Sequence, residues 1–296
     1  PRVQYPALDL SSLESVIVAL NSRHDAEVRA ALHYLADDGR ARLIPALILY
    51  HPSPEVVVDA LQILVRAGRN DFLPITDRLL ESGSPDVRAA ALAARGALAP
   101  GLGLLEKYST AQCPALRSTA LVGLIALGKG GQDTLAKLEE IAEHGDVEAK
   151  TTLATAVRFR PSARFEDILI ALAKDERVEV RLSALGAMGV QPTARYLGPL
   201  VKMLGSRKLR SEARATLVEL GETAFSYLCG ALADDERPVA IRRHLPRTLM
   251  RFDPQRAAAA LLEQLTVERD GVVRYKILRA LGFLRAHNPQ IVLDRA

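Results

Sequence analysis

The chain has 296 residues, 49% of them apolar and only 4% aromatic, with no Trp, and carries a formal net charge of +4. Its longest uncharged runs, Ser118 to Gly128 and Gly96 to Leu105, fall short of the roughly 18 residues that cross a bilayer, and no signal-peptide pattern opens it. These features exclude a membrane span in this segment and lead us to expect a cytoplasmic protein. The two cysteines, Cys113 and Cys229, exclude a disulfide framework and read as small core residues of a reducing compartment.

Taken in order, the chain repeats one phrase: an apolar residue, usually Arg after it, then Ala or another apolar residue at the fifth position. The first residues of the phrase are Val28, Val56, Val87, Leu116, Val147, Val180, Ala213, Ile241 and Val273, spaced by 28 to 33 residues. A period near thirty with varied residues between is the signature of stacked helix pairs, in which each unit touches only its neighbours. Each unit reads as a first helix, a turn and a second helix that bears the phrase. The opening unit offers Ser11 to Leu20 and then Ala26 to Leu35, with Asp25 placed to cap the second helix. Later first helices are expected at Leu43 to Tyr50, Phe72 to Glu81, Leu102 to Tyr108, Thr134 to Glu143, Phe165 to Lys174, Tyr196 to Leu204, Thr223 to Leu232 and Arg256 to Thr266.

The second helices of the next three units begin Ser53-Pro54, Ser84-Pro85 and Cys113-Pro114. Proline at the first helical position loses no hydrogen bond, and Ser before it can cap. Pro45, Pro74 and Pro199 fall inside expected first helices and predict a bend there. Within the second helices apolar residues fall at offsets 0, 4, 7 and 8, one face of an α-helix. Ala and Gly fill many of those slots, which lets neighbouring helices approach closely. No alternating strand pattern occurs. The fold expected is therefore an all-α solenoid of about nine helix pairs, one domain over residues 1–296. Asn288 to Leu293 resembles the start of a further first helix, so the segment reads as an excerpt of a longer chain.

Asp175 to Gly189 (Asp-Glu-Arg-Val-Glu-Val-Arg-Leu-Ser-Ala-Leu-Gly-Ala-Met-Gly) and Asp270 to Gly282 resemble HEAT repeats, in the bacterial form shared with phycobilin-lyase-type repeats. The resemblance implies a right-handed superhelix whose second helices line the concave side. The units Ile241 to Leu249 and Val273 to Leu281 are similar to HEAT segments of bacterial nucleotide-translocase-like membrane proteins. Such repeats serve many roles, so the resemblance defines a fold rather than a function.

Arg follows the first residue of the phrase at Arg29, Arg88, Arg117, Arg181, Arg214, Arg242 and Arg274. An arginine at the flank of a buried face can lay its stem on apolar surface and aim its guanidinium at an acid of a neighbouring repeat. Asp86, Asp146, Glu179, Glu212 and Asp270 lie beside these positions and are the expected acids. The seven arginines thus read as a structural ladder. Arg243 and Arg247, a turn apart and off the apolar face, read differently. With Lys276 and Arg279 of the next unit they form a candidate binding patch for an acidic peptide, a phosphate or an anionic lipid head group. From Val190 onward there are 18 Lys and Arg against 11 Asp and Glu, while the rest of the chain carries 21 against 24.

None of the six histidines is followed by Glu, which disfavours the His-Glu metal chemistry of HEAT-like diiron hydroxylases. Absent Trp and sparse Tyr and Phe disfavour the duplex engagement of HEAT-like DNA glycosylases, leaving weak nucleic-acid binding as a lesser alternative. Gly128-Lys129-Gly130-Gly131 lacks the spacing of a phosphate loop. No catalytic residue, metal ligand or cofactor site is expected. The function expected is a non-enzymatic scaffold that binds a protein partner, or a neighbouring domain of its own chain, through an acidic surface. The alternative is a lyase-like or chaperone-like accessory, which would need an apolar pocket with a convergent acid or His.

Overall fold

The computed structural model describes residues 13–98 and 101–291. The helices fall into two compact units, residues 2–172 and residues 173–296. The first holds α1 (Leu13–Ala19), α2 (Asp25–Asp37), α3 (Pro54–Arg66), α4 (Leu73–Ser82), α5 (Pro85–Leu98), α6 (Leu102–Tyr108), α7 (Pro114–Ala126), α8 (Gln132–His144), α9 (Val147–Phe159) and α10 (Glu166–Leu172). The second holds α11 (Val178–Met188), α12 (Leu197–Met203), α13 (Arg210–Glu219), α14 (Gly221–Ala233), α15 (Val239–Arg242), α16 (Leu245–Leu249), α17 (Pro254–Val267) and α18 (Gly271–His287). Short 3-10 turns complete them, and the described residues contain no strand. The all-α expectation holds, and helix pairs lie side by side as in an α-solenoid.

In the first unit the second helices α2, α3, α5, α7 and α9 pack in succession, and α5 also reaches α9. Their apolar stripes meet the first helices in one continuous core that includes Leu32, Leu61, Phe72, Leu92, Leu105 and Leu116. Each such Leu or Phe is worth about 1.5–3 kcal/mol when taken out of water. The small residues act as expected. Leu105 of α6, 1% exposed, seats between Gly96 of α5 and Gly123 of α7, where a Cβ on Gly123 would stand 3.0 Å from a Leu105 methyl. In the second unit α11 packs on α13, and α15 and α16 on α18, while α14 joins α12 to α17.

Several local expectations change. Asp25 is the first residue of α2 rather than its cap; His24 holds the cap position without a side-chain bond. Ser84 Oγ accepts from Val87 N at 3.4 Å, but Ser53 turns its hydroxyl to Glu55 instead, 2.8 Å away. The prolines do not bend helix interiors. Pro45 precedes a 3-10 turn, Pro74 is in the first turn of α4, and Pro199 is the third residue of α12. The first turn has no i→i−4 bond to lose, so each proline starts a helix without disturbing it. The expected helix Leu43 to Tyr50 is two 3-10 turns, Ala41–Leu43 and Ala46–Tyr50, parted at Ile44, whose backbone is extended ahead of Pro45.

Gly128, with φ of +69°, ends α7 in the left-handed conformation that a side chain disfavours. Its N–H and that of Lys129 donate back to Ile125 and Leu124 carbonyls, closing the helix end. The glycine-rich loop is a helix stop. Of the helical start expected at Asn288 to Leu293, the part up to Ile291 is turn and the remainder lies outside the described residues.

Candidate functional site: a basic cluster on the second helices

The seven arginines of the repeated phrase meet backbone carbonyls more often than acids. Arg88 Nε donates to Leu80 O at 2.9 Å, Arg117 to Ala111 O at 3.4 Å and Arg274 to Glu268 O at 3.3 Å. Arg242 donates twice to Leu232 O, at 3.0 and 2.9 Å. These oxygens lie at or beyond the end of the preceding first helix, where carbonyls have no intrahelical donor. Lys150 does the same for Glu143 O at 2.9 Å, in a unit whose phrase lacks the arginine. Two arginines also reach an acid of the following unit. Arg29 pairs with Asp59 at 2.7 Å, and Arg242, 3% exposed, pairs with the fully buried Glu268 at 2.7 Å.

The acids are therefore not those expected from adjacency. Asp146 and Asp270 cap α9 and α18 through Ala149 N and through Val272 and Val273 N, which occupies their carboxylates locally. Arg181 has a buried Nε without a hydrogen-bond partner among the described residues.

The basic patch is built differently from its sequence reading. Pro246 lacks an N–H and its ring opposes the carbonyl four residues back, so the eighth second helix breaks into α15 and α16. Arg243 closes α15 and Arg247 lies in the short α16, so the two do not share one helical ladder. Both remain exposed, as does Arg279, while Lys276 is half-buried. Arg243 and Arg247 both bear on Arg210 at the start of α13, and Arg243 and Lys276 bear on His244. Arg279 is not among the charges acting on these groups.

Sequence reasoning missed the centre of this cluster. Arg214, counted with the structural ladder, is 8% exposed. Its Nε donates to Thr248 Oγ1 of α16 at 3.2 Å, and its buried Nη2 has no hydrogen-bond partner among the described residues. Burial first, then the charges of Arg247, Arg251 and Arg210, push its pKa down to about 10. His244 is pushed down to about 4 by burial and by Arg210, Arg243, Arg214 and Lys276, so it is neutral at physiological pH. No carboxylate of the described residues is among the charges that set either shift. Arg210 is fixed by bonds to Leu204 O at 2.6 Å and Gly205 O at 3.3 Å. The signal that could have found it is the i, i+4 spacing of Arg210 and Arg214, which matches that of Arg243 and Arg247.

The first unit has a cavity of about 290 Å³ on its second helices. Val58, Ala90, Ala115 and Phe159 give it apolar walls, and Arg29 and Asp59 lie at one side. Burial opposes the charge of Asp59, but hydrogen bonds from His33 and Arg29 and the charge of Arg29 outweigh it and hold the carboxyl below its ordinary value. Elsewhere, burial and Glu263 push the Cys229 thiol up, which weakens it as a nucleophile at neutral pH. Among the described residues no group of three or more His, Cys, Asp or Glu is placed to hold a metal, and no helix is long and apolar enough to cross a membrane.

Residues 197–282 match the family model for HEAT repeats. No curated protein matches the chain. The matched span runs from α12 through most of α18, so it includes the helices that carry the basic cluster, and it supports a HEAT-repeat protein built of stacked helix pairs.

Proposed function

We propose that the chain is a non-enzymatic HEAT-repeat scaffold that binds a protein partner, or a neighbouring domain of its own chain, through an acidic surface. The observation that carries this reading is the convergence of Arg210, Arg214, Arg243, Arg247 and Lys276 from α13, the α15–α16 break, α16 and α18, with no carboxylate of the described residues among the charges acting on Arg214 and His244. Uncompensated charge on a folded surface steers oppositely charged partners and suppresses wrong ones. Arg279 extends the same face along α18, where exposed Tyr275 and Phe283 offer apolar contact beside the charge. Aromatic and arginine side chains are the groups that most often dominate binding at such surfaces. The finer likeness to bacterial phycobilin-lyase-type repeats and to the HEAT segments of nucleotide-translocase-like proteins belongs to this reading, as does a cytoplasmic location.

The test is affinity capture from a lysate of the source organism, with the wild-type chain beside an Arg243→Glu/Arg247→Glu variant. We expect an acidic protein recovered by wild type alone, released by added salt, and cross-linked to α13, α16 or α18. Equal recovery by both baits would show the cluster to be an ordinary solvated face.

A second reading draws on the cavity of the first unit. Apolar walls with the buried Asp59 and its His33 contact are the pocket that an accessory protein handling a modified partner would need. Loss of a captured partner on Phe159→Lys, with the cluster intact, would favour it.

A further inference from the structure

We propose that Arg214 is the floor of a site for a phosphorylated side chain of the protein partner, with Arg243 and Arg247 closing over it. This rests on the scaffold reading above and names the group that the basic face receives. The carrying observation is geometric: Arg214 is 8% exposed, is tied by Nε to Thr248, and keeps Nη2 buried with no hydrogen-bond partner among the described residues. A buried guanidinium N–H without an acceptor is costly unless a ligand supplies one. Neighbouring cations add to that cost, and an incoming anion would relieve both.

The chemistry of the ring around Arg214 selects the anion. Arg210 and Arg247 act on Arg214, Arg243 and Arg247 act on Arg210, and neutral His244 stands beside them with its Nε2 3.3 Å from Arg243 Nε. Glu212, the nearest acid along α13, faces α11, with its Oε1 3.9 Å from where a Cβ on Gly186 would stand. A carboxylate offers one charge and two oxygens, which one or two guanidinium groups satisfy. A phosphate monoester offers a charge near −2 and three acceptor oxygens, which suits several guanidinium groups meeting at a point. Nucleic-acid backbone is a row of singly charged diesters and calls for cations strung along a track. Here Arg247, Arg251 and Arg210 all bear on one recessed group, Arg214. A head group held in a bilayer plane would meet exposed Arg243 and Arg247 without reaching Arg214, whereas a phosphorylated side chain projects from its backbone and can.

The test uses the full chain and fluorescence anisotropy at fixed ionic strength. The probes are three degenerate peptide pools, centred on phosphoserine, glutamate and serine, together with a generic DNA duplex and phosphatidylcholine vesicles containing phosphatidic acid. The phosphoserine pool is expected to bind roughly tenfold more tightly than the glutamate pool. Arg214→Gln and, separately, Arg247→Gln should bring that ratio towards one. Arg95→Gln in the first unit should leave it unchanged. Arg247 is exposed and makes no hydrogen bond or ion pair among the described residues, so its variant reads the site even if Arg214→Gln lowers stability. Equal binding of the phosphoserine and glutamate pools, retention of the preference in Arg247→Gln, or tighter binding of duplex or vesicles would overturn the proposal. Failure here is separable from failure of the scaffold reading: a partner captured by wild type, lost by the Arg243→Glu/Arg247→Glu variant and indifferent to phosphatase would sustain the scaffold and sink the phosphate site.

Discussion

Arg242 and Arg243 are neighbours in sequence with opposite surroundings. Arg242 is 3% exposed and bonds Leu232 O and Glu268, whose other carboxylate bonds come from Gln264 and from Asp270 N. Removing the guanidinium leaves a buried acid without its counter-charge, so Arg242→Ala is expected to lower stability by about 3–5 kcal/mol. Arg243→Ala, at an exposed position, should stay within about 0.5 kcal/mol of wild type. Urea denaturation compares the two, and coincident midpoints would contradict the burial argument. Asp59 supplies a pH signature. Its folded pKa is depressed below the ordinary 3.8, so its stabilising contribution is complete above that value and lost as pH falls through the native one. Asp59→Asn should therefore flatten the part of the acid limb that lies below the ordinary carboxylate value, when urea midpoints are followed down to about pH 2.5. An unchanged limb would remove Asp59 from the account.

At the scale of elements, most of the helix plan could be read from the chain. First helices expected at Leu102 to Tyr108 and Thr134 to Glu143 appear as Leu102–Tyr108 and Gln132–His144, because a buried apolar stripe at helical spacing has few other uses. The misreadings have physical causes. Pro45 and Pro199 read as helix-interior residues in the sequence because apolar periodicity runs on through a helix start, where backbone geometry changes and side-chain pattern does not. Asp59 and Glu268 escaped notice as ladder acids because adjacency in sequence says little about which residue of the next helix faces back. The carbonyls that hold Arg88 and Arg117 have no side-chain signature at all. Leu105 gives the packing test. It is buried between the closely packed backbones at Gly96 and Gly123, so Leu105→Ala should leave a cavity and cost about 2–5 kcal/mol. A loss below about 1 kcal/mol, as from a site that collapses freely, would show the glycine contacts to be loose.

At the scale of the molecule, the basic balance lies in the residues that form the second compact unit, while the cavity belongs to the first. The charge excess was visible in composition, and Arg243, Arg247 and Lys276 were visible as off-face positions. Arg214 was not, since the repeated phrase gives it the same place as its structural counterparts and only tertiary packing leaves its Nη2 without a hydrogen-bond partner among the described residues. Capture through the cluster should weaken steeply between about 0.05 and 0.3 M salt, because exposed charges a Debye length apart are screened. Capture through the cavity of the first unit would change little over that range.

The two kinds of arginine bond also bear on how such an array can grow. Arg88, Arg117 and Arg274 hold carbonyls within or just ahead of their own helix pair, so a duplicated pair carries both halves of the contact with it. Arg29 with Asp59 and Arg242 with Glu268 join consecutive pairs. A gene duplication or deletion at either junction would strand a buried acid beside a stranger. Pairs of the first kind are free to multiply or vanish, while junctions tied by a buried ion pair, these two among them, resist a change in the order of repeats.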